Sequence, residues 1–194
     1  MYQLPPKFIN FDLECTTWEG AAARNWSGPG EHREVVQIGA VLVDSETFEE
    51  IGNFACLVKP TINPTLSKYF IELTGITQQH VDERGAGFEN ALTAFAAWAK
   101  DYPLYCFDSR TDGSRLFDRD VLEENCKLLG IPFPFDRDRF RNVNMLFFEN
   151  GHEVKQSASA PGVFGVEYPM RAHDALNDAR GVVIGLKAMS ESVG

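Results

Sequence analysis

The 194-residue sequence lacks the features that would assign it to a membrane, secreted or zinc-binding class. No apolar run approaches the roughly 20 residues that a membrane-spanning helix needs. Only four cysteines are present and none has CxxC spacing, so neither a disulfide framework nor a zinc site is predicted. The first residues, MYQLPPKFINFD, lack the basic and apolar regions of a signal peptide. We therefore expect a cytoplasmic protein that does not associate with membranes.

Positive charge is also scarce in this sequence. Eighteen lysines and arginines stand against 28 aspartates and glutamates, giving a formal net charge of −10. A protein that binds duplex DNA tightly usually has a basic surface and a high pI, so this composition argues against that class. The basic residues gather partly in one region: Arg110, Arg115, Arg119, Lys127, Arg137, Arg139 and Arg141.

The order of apolar segments predicts one α/β domain over residues 1–194. Three strands come first, separated by a polar, Gly-rich insert at residues 19–33: Lys7–Glu14, Val35–Val43 and Gly52–Val58. Helices and two further strands then alternate. The predicted helices are Leu66–Leu73, Phe88–Lys100, Ser114–Leu129 and Asp174–Met189, and the predicted strands are Leu104–Phe107 and Asn142–Leu146. This order predicts a central mixed five-stranded sheet that starts as a β-meander and has helices on both faces.

Two carboxylates lie in the first predicted strand, in the sequence FDLECTT. Asp12 and Glu14 are two residues apart, so in a strand both side chains point to the same face. Buried like charges repel each other and resist desolvation, and a bound cation removes both costs. The alternative is that both residues line a solvated face of the sheet.

Two later segments add acids and a histidine. His173 precedes the last predicted helix and Asp178 lies in its first turns, in the sequence AHDALNDARG. Asp118 lies in the N-terminal turn of a middle helix, in LFDRDVLEENC. Nearby acids offer alternatives to Asp118: Asp108, Asp112 and Asp120.

Together these residues are suited to phosphoryl-transfer chemistry. Four carboxylates from three separate segments match the ligands that hard cations such as Mg²⁺ or Mn²⁺ prefer. Two such ions can stabilise the attacking and leaving oxygens of an in-line displacement at phosphorus. A nearby histidine, with an ordinary pKa near 6.5, can accept the proton of the attacking water. Because the chain is acidic, we expect short single-stranded nucleic-acid ends as its substrate.

Five blocks of sequence carry a family resemblance: FDLECT, VVQIGAVLVD, VKPTINPTLSKYFIELTGITQQHVD, FDRDVLEENC and HDALNDAR. With them the chain resembles the DEDDh exonucleases of the DnaQ-like superfamily, which have a ribonuclease H-like fold. Within that superfamily it is similar to the branch of histone-mRNA 3′-exonucleases and KapD-like proteins. The resemblance covers nearly the whole chain. It implies a 3′→5′ exonuclease that hydrolyses single-stranded RNA or DNA ends and releases 5′-mononucleotides.

The resemblance also implies a role for each residue of the acidic set. Asp12, Glu14 and Asp178 would hold a first divalent ion, and Asp12 with Asp118 would hold a second. His173 would deprotonate the attacking water.

Further residues are implied in binding the terminal nucleotide: Cys15, Thr16, Tyr69, Leu73, Thr74 and Phe117. The backbone at the first two would meet the 3′-OH. The ring of Tyr69 would stack on the terminal base, with Leu73 and Thr74 lining the same pocket and Phe117 beside it. Ordinary core packing is the alternative for these last four residues.

Three other functions fit parts of the pattern. A catalytically inactive binding or regulatory protein with this fold would be expected to have lost one of the five catalytic residues. A DNA polymerase proofreading exonuclease has the same chemistry, but the segment Ile62–Val81 favours the histone-mRNA branch. An HD-type phosphohydrolase, suggested by His173–Asp174, needs further histidine ligands on a helical scaffold. The sequence does not decide whether the substrate is RNA or DNA, nor what the oligomeric state is.

Overall fold

A mixed sheet forms the centre of the computed structural model, which describes residues 4–192. The ends of the predicted domain, residues 1–3 and 193–194, lie outside the described residues. The elements in chain order are β1 (Lys7–Cys15), β2 (Val35–Asp44), β3 (Glu50–Lys59), α1 (Lys68–Thr74), α2 (Gln78–Arg84), β4 (Ala86–Gly87), α3 (Phe88–Ala99), β5 (Leu104–Cys106), α4 (Phe117–Leu129), β6 (Phe140–Asn142), α5 (Asn144–Glu149), α6 (Ala160–Val163) and α7 (Ala175–Ser192).

The sheet has the strand order β4-β3-β2-β1-β5-β6. Strands β1, β2 and β3 form the antiparallel meander predicted from the sequence, and β5 and β6 continue the sheet in parallel. The predicted α/β class and mixed sheet are confirmed, but the predicted number of five strands is wrong. The sixth strand, β4, pairs only Ala86 and Gly87 with the end of β3. A strand of two residues is too short to show the alternation of apolar and polar residues by which a strand is recognised in a sequence.

Two apolar cores lie on opposite faces of β1, because its side chains alternate between the faces. Ile9, Phe11 and Leu13 pack with α3 and α4. Phe8 packs on the other face with α7. The polar residues of β1 also face α7, and the first of them, Asn10, donates from Nδ2 to the carbonyl oxygen of Ala179 at 2.9 Å. The central strand is therefore buried on both sides and holds its acids rigidly.

Two predicted elements show the most informative differences from the structure. Most of the predicted strand Asn142–Leu146 is not a strand. Strand β6 ends at Asn142, and helix α5 begins at Asn144. A short apolar run such as MLFF fits a strand or a helix equally well. The predicted helix Ser114–Leu129 begins at Phe117, where Asp108 Oδ2 accepts the amide hydrogen of Phe117 at 3.0 Å. A distant carboxylate therefore determines where this helix begins.

Within residues 4–192, no helix is both long and apolar enough to cross a membrane.

Candidate active site

Helix α7 approaches the sheet closely at one glycine of β2. Gly39 lies directly opposite Asp12 in the β1–β2 ladder, so both residues point to the α7 face. A Cβ atom on Gly39 would lie 2.1 Å from the backbone nitrogen of Leu176. Only glycine leaves room for that backbone. The missing side chain lets the first turn of α7 rest beside Asp12.

Gln37 then fixes the same end of α7. It lies opposite Glu14 on β1 and hydrogen-bonds the helix start with both ends of its amide. Nε2 donates to Asp174 Oδ2 at 3.1 Å, and Oε1 accepts the amide hydrogen of Ala175 at 3.0 Å. Asp174 in turn accepts the amide hydrogen of Asn177 at 3.0 Å, as a helix N-cap does. These bonds hold the acid of the first helical turn above β1.

The sequence-predicted acids and His173 converge at this place. Glu14, His173 and Asp178 each offer one ligand atom, and these atoms lie within 4.8 Å of one another. Asp118, in the first turn of α4, is 3% exposed and lines the same cleft together with Asp12. The structure thus brings together all five residues of the predicted catalytic set.

The pKa values of these carboxyl groups reveal mutual repulsion. Burial raises the pKa of Asp12 well above its ordinary value, and the negative charges of Asp118, Asp178 and Glu14 raise it further. Burial and the charges of Asp178 and Asp118 likewise raise the pKa of Glu14. For Asp178, burial raises the pKa from 3.8 to about 6. Four oxygen-donor groups, three of them buried and Asp12 partly buried, disfavour one another's ionised form. They fit a site for divalent cations, since the attraction of each carboxylate to a bound cation offsets the repulsion between them.

His173 lies on the loop before α7, with an exposed ring and a left-handed backbone (φ 60°) that only a few per cent of non-glycine residues adopt. Its backbone amide donates to Asp178 Oδ2 at 3.2 Å, which ties the loop to the first turn of α7. Arg171, two residues earlier, donates from Nη2 to the carbonyl oxygen of Glu72 at 3.2 Å, near the C-terminus of α1. Partial desolvation, with a further effect from Arg171, lowers the pKa of His173. The imidazole is therefore neutral near neutral pH and able to accept a proton.

The acids lie at the floor of a cleft of about 620 Å³. Of the predicted nucleotide-binding residues, four line it: Cys15, Tyr69, Leu73 and Phe117. Thr16 and Thr74 are not among the residues that line the cleft, and both are 3% exposed. The hydroxyl of Thr16 donates to the carbonyl oxygen of His32, and that of Thr74 donates to the carbonyl oxygen of Phe70 at 2.9 Å. These bonds engage only the side chains, so the contact predicted for the backbone at Thr16 stays a prediction.

The cleft has a second aromatic wall that the sequence did not indicate. Trp26, from the polar insert, lies 5.8 Å from Phe117 between ring centroids, and the guanidinium of Arg33 lies over both rings. Arg115 lies 4.7 Å above the Phe117 ring and also lines the cleft. Lys155 lines the cleft as well. No linear pattern connects position 26 with position 117, because their contact depends on how the insert folds back.

The acids near Asp118 have other roles. Asp108 is 5% exposed and lines the cleft, but it accepts the amide hydrogens of Arg110 and Phe117 and lies 3.6 Å from Arg115. Asp120 pairs with Arg119 at 2.6 Å. Asp112 accepts the amide hydrogen of Ser114 in an exposed turn. Of these four acids, only Asp118 combines burial with a charge that raises the pKa of both Asp12 and Glu14.

We expect Asp178→Asn to stabilise the metal-free protein at pH 7.5 by about 1–3 kcal/mol. The pKa of Asp178 is raised on folding, from 3.8 to about 6. Between these values the folded state binds more protons than the unfolded state, so this carboxyl lowers the free energy of unfolding as pH rises. Urea denaturation in EDTA measures the effect. At pH 4 the gain should largely disappear, and a variant less stable than wild type at pH 7.5 would contradict the assigned cost of burying the ionised Asp178 carboxylate.

The family model, the relatives and the solved structures that match this chain are all described as nucleases. A family model described as Exonuclease (RNase_T) matches residues 9–184. The 3'-5' exoribonuclease 1 of Mus musculus is 29% identical over 179 residues, which cover 88% of this chain and 49% of that protein. The ERI1 exoribonuclease 2 of Homo sapiens is 28% identical over 207 residues, covering 94% of this chain and 28% of that protein. The chain thus spans about half, or less, of the length of these relatives.

One solved structure resembles the chain over nearly its full length. It is the nuclease domain of 3'hExo, a DEDDh family member, bound to rAMP. The TM-score is 0.77 at 25% identity, and the match covers 96% of this chain and 92% of that one. A structure of E. coli ExoI with single-stranded DNA shares the fold, with a TM-score of 0.69 at 16% identity over 97% of this chain and 41% of that one.

Proposed function

This chain belongs to the Exonuclease family, and we propose that it is a metal-dependent 3′→5′ exonuclease that releases 5′-mononucleotides from single-stranded RNA or DNA. The observation that carries the proposal is the approach of ligand atoms of Glu14, His173 and Asp178 to within 4.8 Å of one another, in a cleft that is also lined by buried Asp118 and partly buried Asp12. The predicted resemblance to DEDDh exonucleases is confirmed by the family match and by the DEDDh nuclease domain.

We propose that the site takes two divalent ions, Mg²⁺ or Mn²⁺. Asp12, Glu14 and Asp178 would hold one ion, and Asp12 with Asp118 the other. When bound, such ions polarise the attacking water and stabilise charge on the oxygens around phosphorus. The carboxylates supply the negative charge that holds them and are themselves relieved of mutual repulsion.

His173 would accept the proton of the attacking water. The water oxygen then bonds to phosphorus, and the bond from phosphorus to the 3′ oxygen of the preceding nucleotide breaks. The products are a 5′-mononucleotide and a strand shortened by one residue with a free 3′-OH. The lowered pKa of His173 keeps its ring unprotonated at neutral pH, and its amide bond to Asp178 holds the loop beside the acids.

The walls of the cleft are suited to a terminal nucleotide. Tyr69 and Leu73 from α1 line one part of it, and the Trp26–Phe117 pair adds further aromatic surface. Base–aromatic stacking tolerates any base, as a non-specific exonuclease requires. Arg115 and Lys155 are cations available to phosphate groups in an otherwise acidic cleft.

We expect Tyr69→Ala to raise KM for a single-stranded oligonucleotide about fivefold or more, with a small change in kcat. Tyr69 is 40% exposed, so its ring has a free surface for a base. Steady-state kinetics with Mg²⁺ measure the change, and Tyr69→Phe serves as the control that keeps the ring. An unchanged KM in Tyr69→Ala would show that the terminal base does not stack here.

We propose that the chain acts on RNA in preference to DNA, because the two relatives compared above are exoribonucleases by name. The net charge of −10 supports short single-stranded ends over duplexes as the substrate.

All four cysteines are free thiols, which supports the proposal that the protein works in the reducing cytoplasm. We propose as well that the whole chain is one domain, which a single cooperative unfolding transition would support.

The proposed function is tested by incubating the purified chain with matched RNA and DNA oligomers, single- and double-stranded, in Mg²⁺, Mn²⁺ or EDTA. We expect 5′-mononucleotides from single strands with either metal and none in EDTA. Binding without release would favour the inactive binding protein. Preferential removal of a mismatched 3′ end from duplex DNA would favour the proofreading exonuclease.

A further inference from the structure

A second cavity, of about 400 Å³, adjoins the active-site cleft. We call it the side groove; it is lined among others by Ser109, Thr111, Asn144, Phe148, His152 and Lys155. Ser109 and Lys155 line both the side groove and the cleft. The two cavities therefore form a continuous surface that starts at the acidic cluster.

An exposed aromatic ring lies in the side groove. Phe148, at the end of α5, is 56% exposed, whereas its neighbour Phe147 is fully buried and contacts Phe164 at 5.9 Å between ring centroids. The buried neighbour anchors α5, so Phe148 is not needed to hold the helix in place. A phenylalanine left in solvent costs free energy that a stacked base would recover.

Polar groups for a nucleic-acid backbone surround this ring. Lys155 lines both the groove and the cleft, and within residues 4–192 it forms one ion pair, to Glu153 at 3.9 Å, between side chains that are 79% and 82% exposed. Such a pair is weak and leaves the ammonium available to a phosphate. The hydroxyls of Ser109 and Thr111 add neutral donors.

Asn144 joins the wall of the groove to the neighbouring loops. It is 3% exposed, and its Nδ2 donates to the carbonyl oxygens of Asp108 and Val154 at 3.1 and 3.3 Å. These bonds hold the start of α5 against the segments after β5 and after α5, so this wall is formed before a strand binds.

We propose that the side groove binds the single strand upstream of the scissile bond, with a base stacked on Phe148 and a phosphate at Lys155. This inference rests on the proposed exonuclease function and adds a second contact region to it. A strand whose 3′ end lies at the acids must leave the cleft somewhere, and the groove is an open path that combines an aromatic face with a cation. The chain would then bind a strand more tightly than a single nucleotide.

The test compares two substrates in the full-length chain with Mg²⁺. One is the p-nitrophenyl ester of a nucleoside 5′-phosphate, which offers no upstream nucleotide, and the other is a single-stranded octamer. Phe148→Ala should raise KM for the octamer about fivefold to tenfold and leave the ester unaffected. Phe148→Tyr should keep the wild-type KM, because it keeps the ring. Leu128→Ala, which removes another exposed apolar side chain at 40% exposure, is the matched control.

Binding of a fluorescent octamer in EDTA tests the groove without turnover. Phe148→Ala should weaken this binding by a similar factor, and Lys155→Met should lower the magnitude of the slope of log K against log salt by about 0.7. If wild type hydrolyses neither substrate, the proposed function fails while this assay still decides the groove. Equal octamer KM and affinity in wild type and Phe148→Ala would overturn the inference.

Discussion

Asp12→Asn is expected to lower kcat at least about 1,000-fold, because the several kcal/mol that bound metal ions contribute to the transition state would be lost. Asp12 is the acid whose pKa is raised by all three other members of the cluster, so it lies electrostatically at the centre of the site. Asparagine has nearly the same shape but lacks the charge that attracts a cation. Steady-state release of mononucleotides measures the loss.

The fold should survive this substitution. Burial and like charges destabilise ionised Asp12, so its neutral replacement should raise the melting temperature of the metal-free protein. Asp120→Asn is the matched control, since Asp120 lies in the first turn of α4 beside Asp118 but pairs with Arg119. It should retain near wild-type activity. Full activity in Asp12→Asn would contradict the proposed metal site.

His173→Gln is expected to lower kcat by about 10²–10⁴-fold, the usual contribution of a general base. Because the pKa of His173 is lowered, the wild-type rate should rise with pH to a plateau that begins below the ordinary histidine range. The rise of the rate on the acidic side of the profile follows the loss of the proton from the His173 ring. His173→Gln should lack this rise. The pH dependence of kcat/KM for both proteins provides the measurement.

Metal affinity separates the two roles that the geometry allows for His173. Its ring nitrogen lies within the same 4.8 Å group as Glu14 and Asp178, so it could be a ligand or a base. Titration of Mn²⁺ into His173→Gln should give wild-type affinity if the ring is the base. A large loss of affinity would instead make it a ligand. His32→Gln, outside the cleft, serves as the control.

Much of the site could be predicted from the sequence because β1 follows a simple period. Alternation places Asp12 and Glu14 on one face, and the ladder confirms that both point towards α7. Helical start signals placed Asp118 and Asp178 in first turns, as the structure has them. These inferences needed only local geometry.

What the sequence did not reveal depends on long-range packing. The need for glycine at position 39 follows from its register with Asp12 and the approach of Leu176, and neither is visible along the chain. Trp26 lies in a segment that the sequence shows as a polar insert, yet its ring packs against the ring of Phe117. Thr16 and Thr74 do not line the cleft, and each hydroxyl donates to a backbone carbonyl oxygen. Tertiary context decides the cases of Gly39 and Trp26, whereas the bond of Thr74 to Phe70 is local to α1.

The most direct test of the central claim is a crystal of the wild-type chain grown with Mn²⁺ and examined by anomalous scattering. We predict two manganese peaks held by the carboxylates of Asp12, Glu14, Asp118 and Asp178, with the imidazole of His173 nearby. Ordered carboxylates with no anomalous peak among them, at a Mn²⁺ concentration that supports turnover, would contradict the account.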